Sequence, residues 1–334
     1  MASRVLILTS SGSSPSFELQ ETPLETPLED QVRVRITSIG LNRADLLFQQ
    51  ERYFEKPTPN CRIGFEGAGI VEAAGPQAQF KIGDRVALCP MLIEASTQGC
   101  MADHALFKSA QLIDSPASLP DAITGAVWMS YLTAWGGMID AGGLRPNETV
   151  LITAASSSVG TASIQVALAQ GAEVIATTTS QEKVDALKAQ GAHHVLLQPR
   201  EEESFDHFSE QIELIAPNGL DLSFDAVAGP ISKVLVKNAK RGGRMVIHGL
   251  LDRRPMNIHA GVLMKRLLTL QGYTLDATLA NAALKAKAVS YISQGFEDGS
   301  FSPVIAANYR LNQYQEAFDA LALNSHIGKI VLQP

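Results

Sequence analysis

Thr149-Val150-Leu151-Ile152-Thr153-Ala154-Ala155-Ser156-Ser157-Ser158-Val159-Gly160 is the stretch whose reading decides the fold. Residues 149–153 form an apolar strand pattern, the next few are small, and a helical pattern runs from Thr161 to Gln170. In a βα turn that binds a dinucleotide, small residues let backbone N–H groups approach the pyrophosphate, and the last glycine lets helix and strand pack closely. Ala155 and Ser157 stand in the first two glycine positions and Gly160 in the third. Ser157, Ser158, Val159 and Gly160 are therefore candidate phosphate-loop residues. An ordinary βα turn has a similar composition, so the context matters more than the loop itself.

That context runs outward in both directions. Glu173-Val174-Ile175-Ala176-Thr177 is a second strand, and residues 182–190 form a helix that ends at Gly191. Strand patterns follow at 194–197, 221–227 and 244–248. Strands that alternate with helices imply parallel βαβ units in a doubly wound sheet. Ligands bind such sheets outside the carboxyl ends of the strands, which makes Val227 a crevice residue.

The second strand bears on the choice of cofactor. An acid about 20 residues past the glycine loop would hold the ribose hydroxyl of NAD. Here the strand ends in Thr177-Thr178-Thr179-Ser180, with Lys183 just beyond and Arg200 after the third strand. Hydroxyls with a cation suit a 2′-phosphate, so the reading is NADPH, with Ser180, Lys183 and Arg200 as its candidate ligands.

The front of the chain has a different texture. Residues 4–8 form a short apolar run, 31–36 alternate apolar with polar, and 69–73 and 84–88 are further strands between Gly-rich turns. This is a β-rich region. The tail has an amphipathic helix at 282–293, another near 313–322 and a last strand at 329–332, and it is expected to return to the first domain.

Composition excludes several classes. The chain has 334 residues, 46% of them hydrophobic, which bounds it at about two globular domains. Its 27 Lys+Arg against 34 Asp+Glu give a net charge of -7, the wrong sign for a non-specific partner of nucleic acid or anionic membrane. Cys61, Cys89 and Cys100 are too few for a disulfide scaffold. The apolar run in the first eleven residues is too short for a signal-peptide core, and the weakly polar stretch 123–139 reads as a buried helix. The expectation is a cytoplasmic protein. The seven histidines show no catalytic constellation.

Five ordered motifs carry a resemblance: residues 40–45 (Gly-Leu-Asn-Arg-Ala-Asp), 64–71 (Gly-Phe-Glu-Gly-Ala-Gly-Ile-Val), 83–86 (Gly-Asp-Arg-Val), 131–135 (Tyr-Leu-Thr-Ala-Trp) and the loop at 155–160. Together they resemble the medium-chain dehydrogenase/reductase superfamily, most closely its zinc-free quinone oxidoreductase branch, over essentially the whole chain through Gly328-Lys329-Ile330-Val331. The resemblance implies an α/β protein: a GroES-like β-rich catalytic domain (1–124 and 267–334) and an inserted Rossmann domain with a doubly wound parallel sheet (125–266). It also implies a homodimer joined through Rossmann edge strands, with 244–248 or 267–273 as candidate edges.

Zinc-dependent members place a Cys where Asn42 stands and a His where Phe65 stands. Phe has no donor and an amide is a poor one, so no metal is expected. Glu66 alone does not make a site, nor do Cys89, Cys100 and His104 replace the structural zinc lobe. Without a Lewis acid, a conjugated acceptor suits the chemistry, because hydride arriving at one end spreads charge over an enolate or hydroquinone anion. The resemblance places Asn42 near the nicotinamide, as a donor to a substrate oxygen. It gives Tyr53 a role as proton or hydrogen-bond donor, and it leaves Asp45 either catalytic or structural. Phe48 stands where some relatives carry a second tyrosine. Thr133 is placed beside the nicotinamide and Gly249, Leu250 and Leu251 beneath its carboxamide. The function implied is NADPH-dependent reduction of quinones or other conjugated carbonyls. The rivals are an enoyl-thioester reductase and an NADPH-binding regulatory protein with little turnover.

Overall fold

A computed structural model describes residues 2–334 and divides them into two compact units. The first comprises the chain up to Met129 together with Val289–Gly299 and Pro303–Pro334; the second comprises Ser130–Ala288 with Ser300–Ser302. No helix among the described residues is long and apolar enough to cross a membrane.

The second unit is built on a six-stranded sheet. Its order is His194–Leu197, Glu173–Thr178, Thr149–Ile152, Leu220–Asp225, Ala239–Ile247, Thr269–Gly272, and every pairing is parallel. Of the two central strands, Thr149–Ile152 reads as an apolar run and Leu220–Asp225 is buried at all but Asp221, because both faces of the sheet are covered there. Leu151, Ile175 and Leu220 pack with Phe208 and Ile212 of the helix Phe205–Ile215 and with Leu235 of Ser232–Lys237. The doubly wound sheet is the expected one, but its limit differs from the expected boundary. The strand Thr269–Gly272 pairs with Ala239–Ile247 and completes this sheet, so the chain returns to the first unit at Val289 rather than at 267. Leu268 and Leu270 pack against the unit's core, which holds the segment there. The weakly polar stretch also differs from one buried helix. It breaks into Asp121–Thr124, Trp128–Ala134 and a π-helical turn, Trp135–Ala141.

The first unit is β-rich. A seven-stranded sheet is centred on Gln31–Gly40, which pairs antiparallel with Gly67–Ala74, His104–Lys108 and Lys329–Gln333. The alternation in Gln31–Gly40 buries Val32, Val34 and Ile36 and leaves Arg35 exposed. A smaller sheet joins Ala2–Ser10 to Ser16–Pro23 and Cys61–Arg62. The strand Lys329–Gln333 lies beside Gly40, so the last strand of the sequence borders the loop that carries Asn42.

Candidate functional site

Each unit gathers its own share of the candidate residues. In the second unit they lie at the carboxyl ends of the parallel strands. Ser157 is the N-cap of the helix Ser158–Ala169, and its hydroxyl accepts from the Gly160 N–H at 3.0 Å. A Cβ on Gly160 would stand 2.5 Å from the backbone of Ala155, so this glycine is what allows the helix to leave the loop so tightly. The loop is fastened to the next strand by Ala155 N–H donating to the Thr177 carbonyl. Lys183 is 8% exposed, and its ammonium lies 3.4 Å from the Ser156 hydroxyl. Burial lowers the pKa of Lys183 from its ordinary value. The cation expected from sequence is thus brought to the phosphate loop itself. Ser180 begins the turn that carries Lys183, while Arg200 is exposed after the third strand.

A buried hub shapes the neighbouring crevice. The Thr153 hydroxyl donates to Asp225 Oδ1 at 2.6 Å and accepts from Ala226 N–H. The Asp225 carboxylate also accepts from the N–H groups of Val227 and Ala228. Burial raises the Asp225 pKa, and these hydrogen bonds oppose the shift. They hold Ala228 at a φ of 58°, a conformation that non-glycine residues rarely adopt. Leu251 N–H and Asp252 N–H donate to the carbonyls of Ala226 and Val227, so the structure brings Val227 and the loop Gly249–Leu251 together. Leu250 and Leu251 are exposed. Thr133 lies half-buried in the helix Trp128–Ala134.

In the first unit, the helix Arg43–Gln49 starts at Asn42, whose N–H donates to Asp45 Oδ2 at 2.8 Å. Asp45 is therefore a capping carboxylate, fully buried, and burial pushes its pKa up to about 7. The Asn42 amide donates to the Gly40 carbonyl at 3.0 Å and to Glu66 Oε2 at 2.9 Å, and its oxygen accepts from the Lys329 ammonium at 2.6 Å. Lys329 also meets Glu66 Oε2 at 2.5 Å, and Glu66 Oε1 accepts from Met129 N–H. Lys329 is 3% exposed and Glu66 is 0% exposed. A Cβ on Gly40 would stand 2.7 Å from both Glu66 Oε2 and Lys329 Cε, so glycine there makes room for the ion pair. Both Asn42 N–H donors are thus used inside the unit. This differs from the expected donation to a substrate oxygen.

Sequence reasoning missed Lys329. Its motif was visible, but a lysine in a strand carries no sign of a partner 287 residues away.

Tyr53 lies beyond the same helix. Its ring packs on Phe65 at 5.0 Å and Phe54 at 5.3 Å, and its hydroxyl donates to the Met91 thioether at 3.3 Å. Phe65 in turn meets Phe48 edge-on at 5.5 Å, and both are buried. The Glu55 carboxylate accepts from the N–H groups of Ala95 and Ser96, which ties the Tyr53 loop to the segment following Met91.

The donor set at this place does not suit zinc. Phe65 offers no donor, the Asn42 amide is saturated, and Lys329 occupies Glu66 Oε2. Among the described residues no three His, Cys, Asp or Glu side chains gather as a metal site. Cys100 donates to the Glu66 carbonyl, with its thiol pKa pushed far up by burial, and His104 pairs with Glu72.

Comparison with known proteins gives matches over both units. Residues 28–126 match the family described as "Alcohol dehydrogenase GroES-like domain", and residues 158–289 match "Zinc-binding dehydrogenase". An acryloyl-coenzyme A reductase from Sulfurisphaera tokodaii is 29% identical over 97% of this chain and 98% of its own length. A quinone oxidoreductase from Lama guanicoe is 26% identical over 98% of this chain and 97% of its own. The solved structure of an NAD-dependent alcohol dehydrogenase superposes with a TM-score of 0.87 at 25% identity, covering 99% of each chain.

Proposed function

The chain belongs to the medium-chain dehydrogenase/reductase superfamily of oxidoreductases, and from that premise we propose that it is a zinc-independent, NADPH-dependent reductase of quinones or other conjugated carbonyls. The observation that carries this reading is the buried set Asn42–Glu66–Lys329 beside Phe65, which stands where metal-dependent relatives are expected to hold zinc. A site of this composition lacks a Lewis acid for a localised alkoxide. It is adequate for an acceptor that spreads its own charge.

NADPH when bound supplies a hydride from C4 of its nicotinamide. The chain's residues do the rest. The loop Ser157–Gly160 and the N-terminus of the helix Ser158–Ala169 hold the pyrophosphate, and Gly160 makes the cradle that a Cβ would fill. Ser180 and Lys183 hold the 2′-phosphate, with Arg200 adding charge from the edge. Val227, Thr133 and Gly249–Leu251 position the nicotinamide. Tyr53 donates to the acceptor oxygen as negative charge develops. Its present acceptor, the Met91 thioether, is a weak one, so exchange for a carbonyl oxygen costs little. Asn42 and Asp45 shape this place rather than react in it.

The likeness to an acryloyl-coenzyme A reductase favours a second reading within the same chemistry, an enoyl-thioester reductase. Both acceptor classes are conjugated, and Tyr53 serves either. We also propose a cytoplasmic homodimer joined at the edge strand Thr269–Gly272, beside which Met264 and Leu267 are exposed.

The test is stopped-flow NADPH oxidation by chelator-treated protein, with 1,4-benzoquinone, 9,10-phenanthrenequinone and an acryloyl or crotonyl thioester, repeated with NADH and with added zinc. Quinone turnover with NADPH and no response to zinc is expected. Turnover of the thioester alone would select the second reading. Cofactor binding without turnover would leave a regulatory protein, and a zinc requirement would overturn the assignment.

A further inference from the structure

Among the described residues, His248 is the one histidine at the carboxyl ends of Thr149–Ile152, Leu220–Asp225 and Ala239–Ile247. It follows Ile247, the last residue of Ala239–Ile247, and its backbone N–H donates to the Asp225 carbonyl at 2.9 Å. It therefore stands beside the Thr153–Asp225 hub and directly before Gly249–Leu251.

Its imidazole stacks on the Phe224 ring, with centroids 3.9 Å apart and planes 17° from parallel. Phe224 is fully buried, and a Cβ on Gly137 would stand 2.3 Å from its Cε2, so the turn Trp135–Ala141 packs directly on that ring. Thr133 lies about one turn earlier along that same helical run. The ring plane of His248 is thereby fixed, while the residue stays only half-buried. Within the chain, the hydrogen bond of the imidazole is to the residue's own backbone. A polar ring held rigidly in its plane, with no hydrogen-bond partner on any other described residue, is built to meet something else.

In a sheet of this order, one half of a bound dinucleotide lies over the strands that carry the phosphate loop and its neighbours. The other half lies past the switch point, over Leu220–Asp225 and Ala239–Ile247. His248 ends the second of these. We propose that His248 is a nicotinamide-binding residue whose imidazole hydrogen-bonds the carboxamide of the ring. The inference deepens the cofactor reading above and rests on it.

Charge supports the assignment. The oxidised nicotinamide ring is cationic, so a cationic side chain against it would oppose product formation. Burial pushes the His248 pKa down to about 3, which keeps the imidazole neutral and compatible with both redox states.

The experiment compares the affinities of wild type, His248→Phe and His248→Gln for NADPH and for 2′,5′-ADP by calorimetry. The second ligand has the 2′-phosphate and adenosine but no nicotinamide. Phe keeps the stack on Phe224 and removes the hydrogen bond, whereas Gln keeps a donor and an acceptor. Thermal unfolding of each variant monitors folding. The expected result is that His248→Phe binds NADPH about tenfold more weakly, the loss of one hydrogen bond. Its affinity for 2′,5′-ADP should be unchanged, and His248→Gln should recover part of the loss. Equal NADPH affinity in all three proteins would overturn the inference and leave the cofactor reading standing. An equal loss for both ligands would also overturn it, because the effect would then not be local to the nicotinamide. A wild type that binds neither ligand would overturn the cofactor reading, and this one with it.

Discussion

Asp45, Lys329 and Tyr53 each carry a measurable consequence of where they sit. The folded-state pKa of Asp45 is raised from 3.8 to about 7, so the native state prefers the protonated form. The stability linked to this proton is fully present below pH 3.8 and is lost as pH rises through about 7. Asp45→Asn removes the linkage. In urea denaturation across this range, the variant should gain on wild type with rising pH, by at most about 4 kcal/mol. An unchanged gap between the two proteins would mean that the carboxylate stays ionised throughout. Lys329→Met leaves Glu66 buried without its cation, which costs about 3–5 kcal/mol. The double variant Lys329→Met/Glu66→Gln should recover much of this in the same assay. Tyr53→Phe keeps the packing on Phe65 and should lower kcat/KM for the acceptor by about 10²-fold while NADPH affinity holds. At this scale the sequence pointed to Asn42, Asp45 and Tyr53 through their motifs. It could not disclose that the Asn42 donors are spent on Gly40 and Glu66, because that depends on a strand remote in sequence.

The element that the sequence announced most clearly is the strand–loop–helix at 149–169. The apolar run, the small loop and Gly160 each had a local reason, and the structure joins them. Ser157→Ala removes the N-cap and should cost about 1 kcal/mol. Gly160→Ala is harsher, because its new Cβ meets backbone that cannot turn aside. The expected loss is about 2 kcal/mol or more, with NADPH binding weakened as the loop opens. Equal denaturation midpoints for wild type and Gly160→Ala would show that the loop yields freely. Other elements were less legible. The strand Thr269–Gly272 is short and mostly exposed, so it lacks an alternating or continuous apolar pattern. The π-helical turn at Trp135–Ala141 follows from packing on Phe224, which no local preference encodes. His248 passed unremarked for a similar reason. A single histidine forms no pattern until the neighbouring strand supplies its stack.

For the whole molecule, the alternation of strands and helices was enough to identify the doubly wound sheet, and the ordered motifs were enough for the β-rich unit. The crossing point between units was displaced because the sixth strand was assigned to the wrong one. That strand is also one of the sheet's two edges, the other being His194–Leu197. If two copies join there, lysines at the exposed positions of Thr269→Lys/Gln271→Lys should repel across the pair and weaken self-association at least tenfold. Sedimentation equilibrium would read the change, and a monomeric wild type would remove the edge from consideration.

The ion pair of Lys329 with Glu66 has a consequence for how the protein is made. Glu66 leaves the ribosome well before Lys329. All of Ser130–Ala288 is translated in between. The parallel-sheet unit therefore has nearly its whole sequence available while the β-rich unit still lacks the counter-ion for a buried carboxylate and the strand that borders Gly40. Nascent chains arrested before Lys329 should show a protease-resistant parallel-sheet unit and a β-rich unit that is still open to digestion.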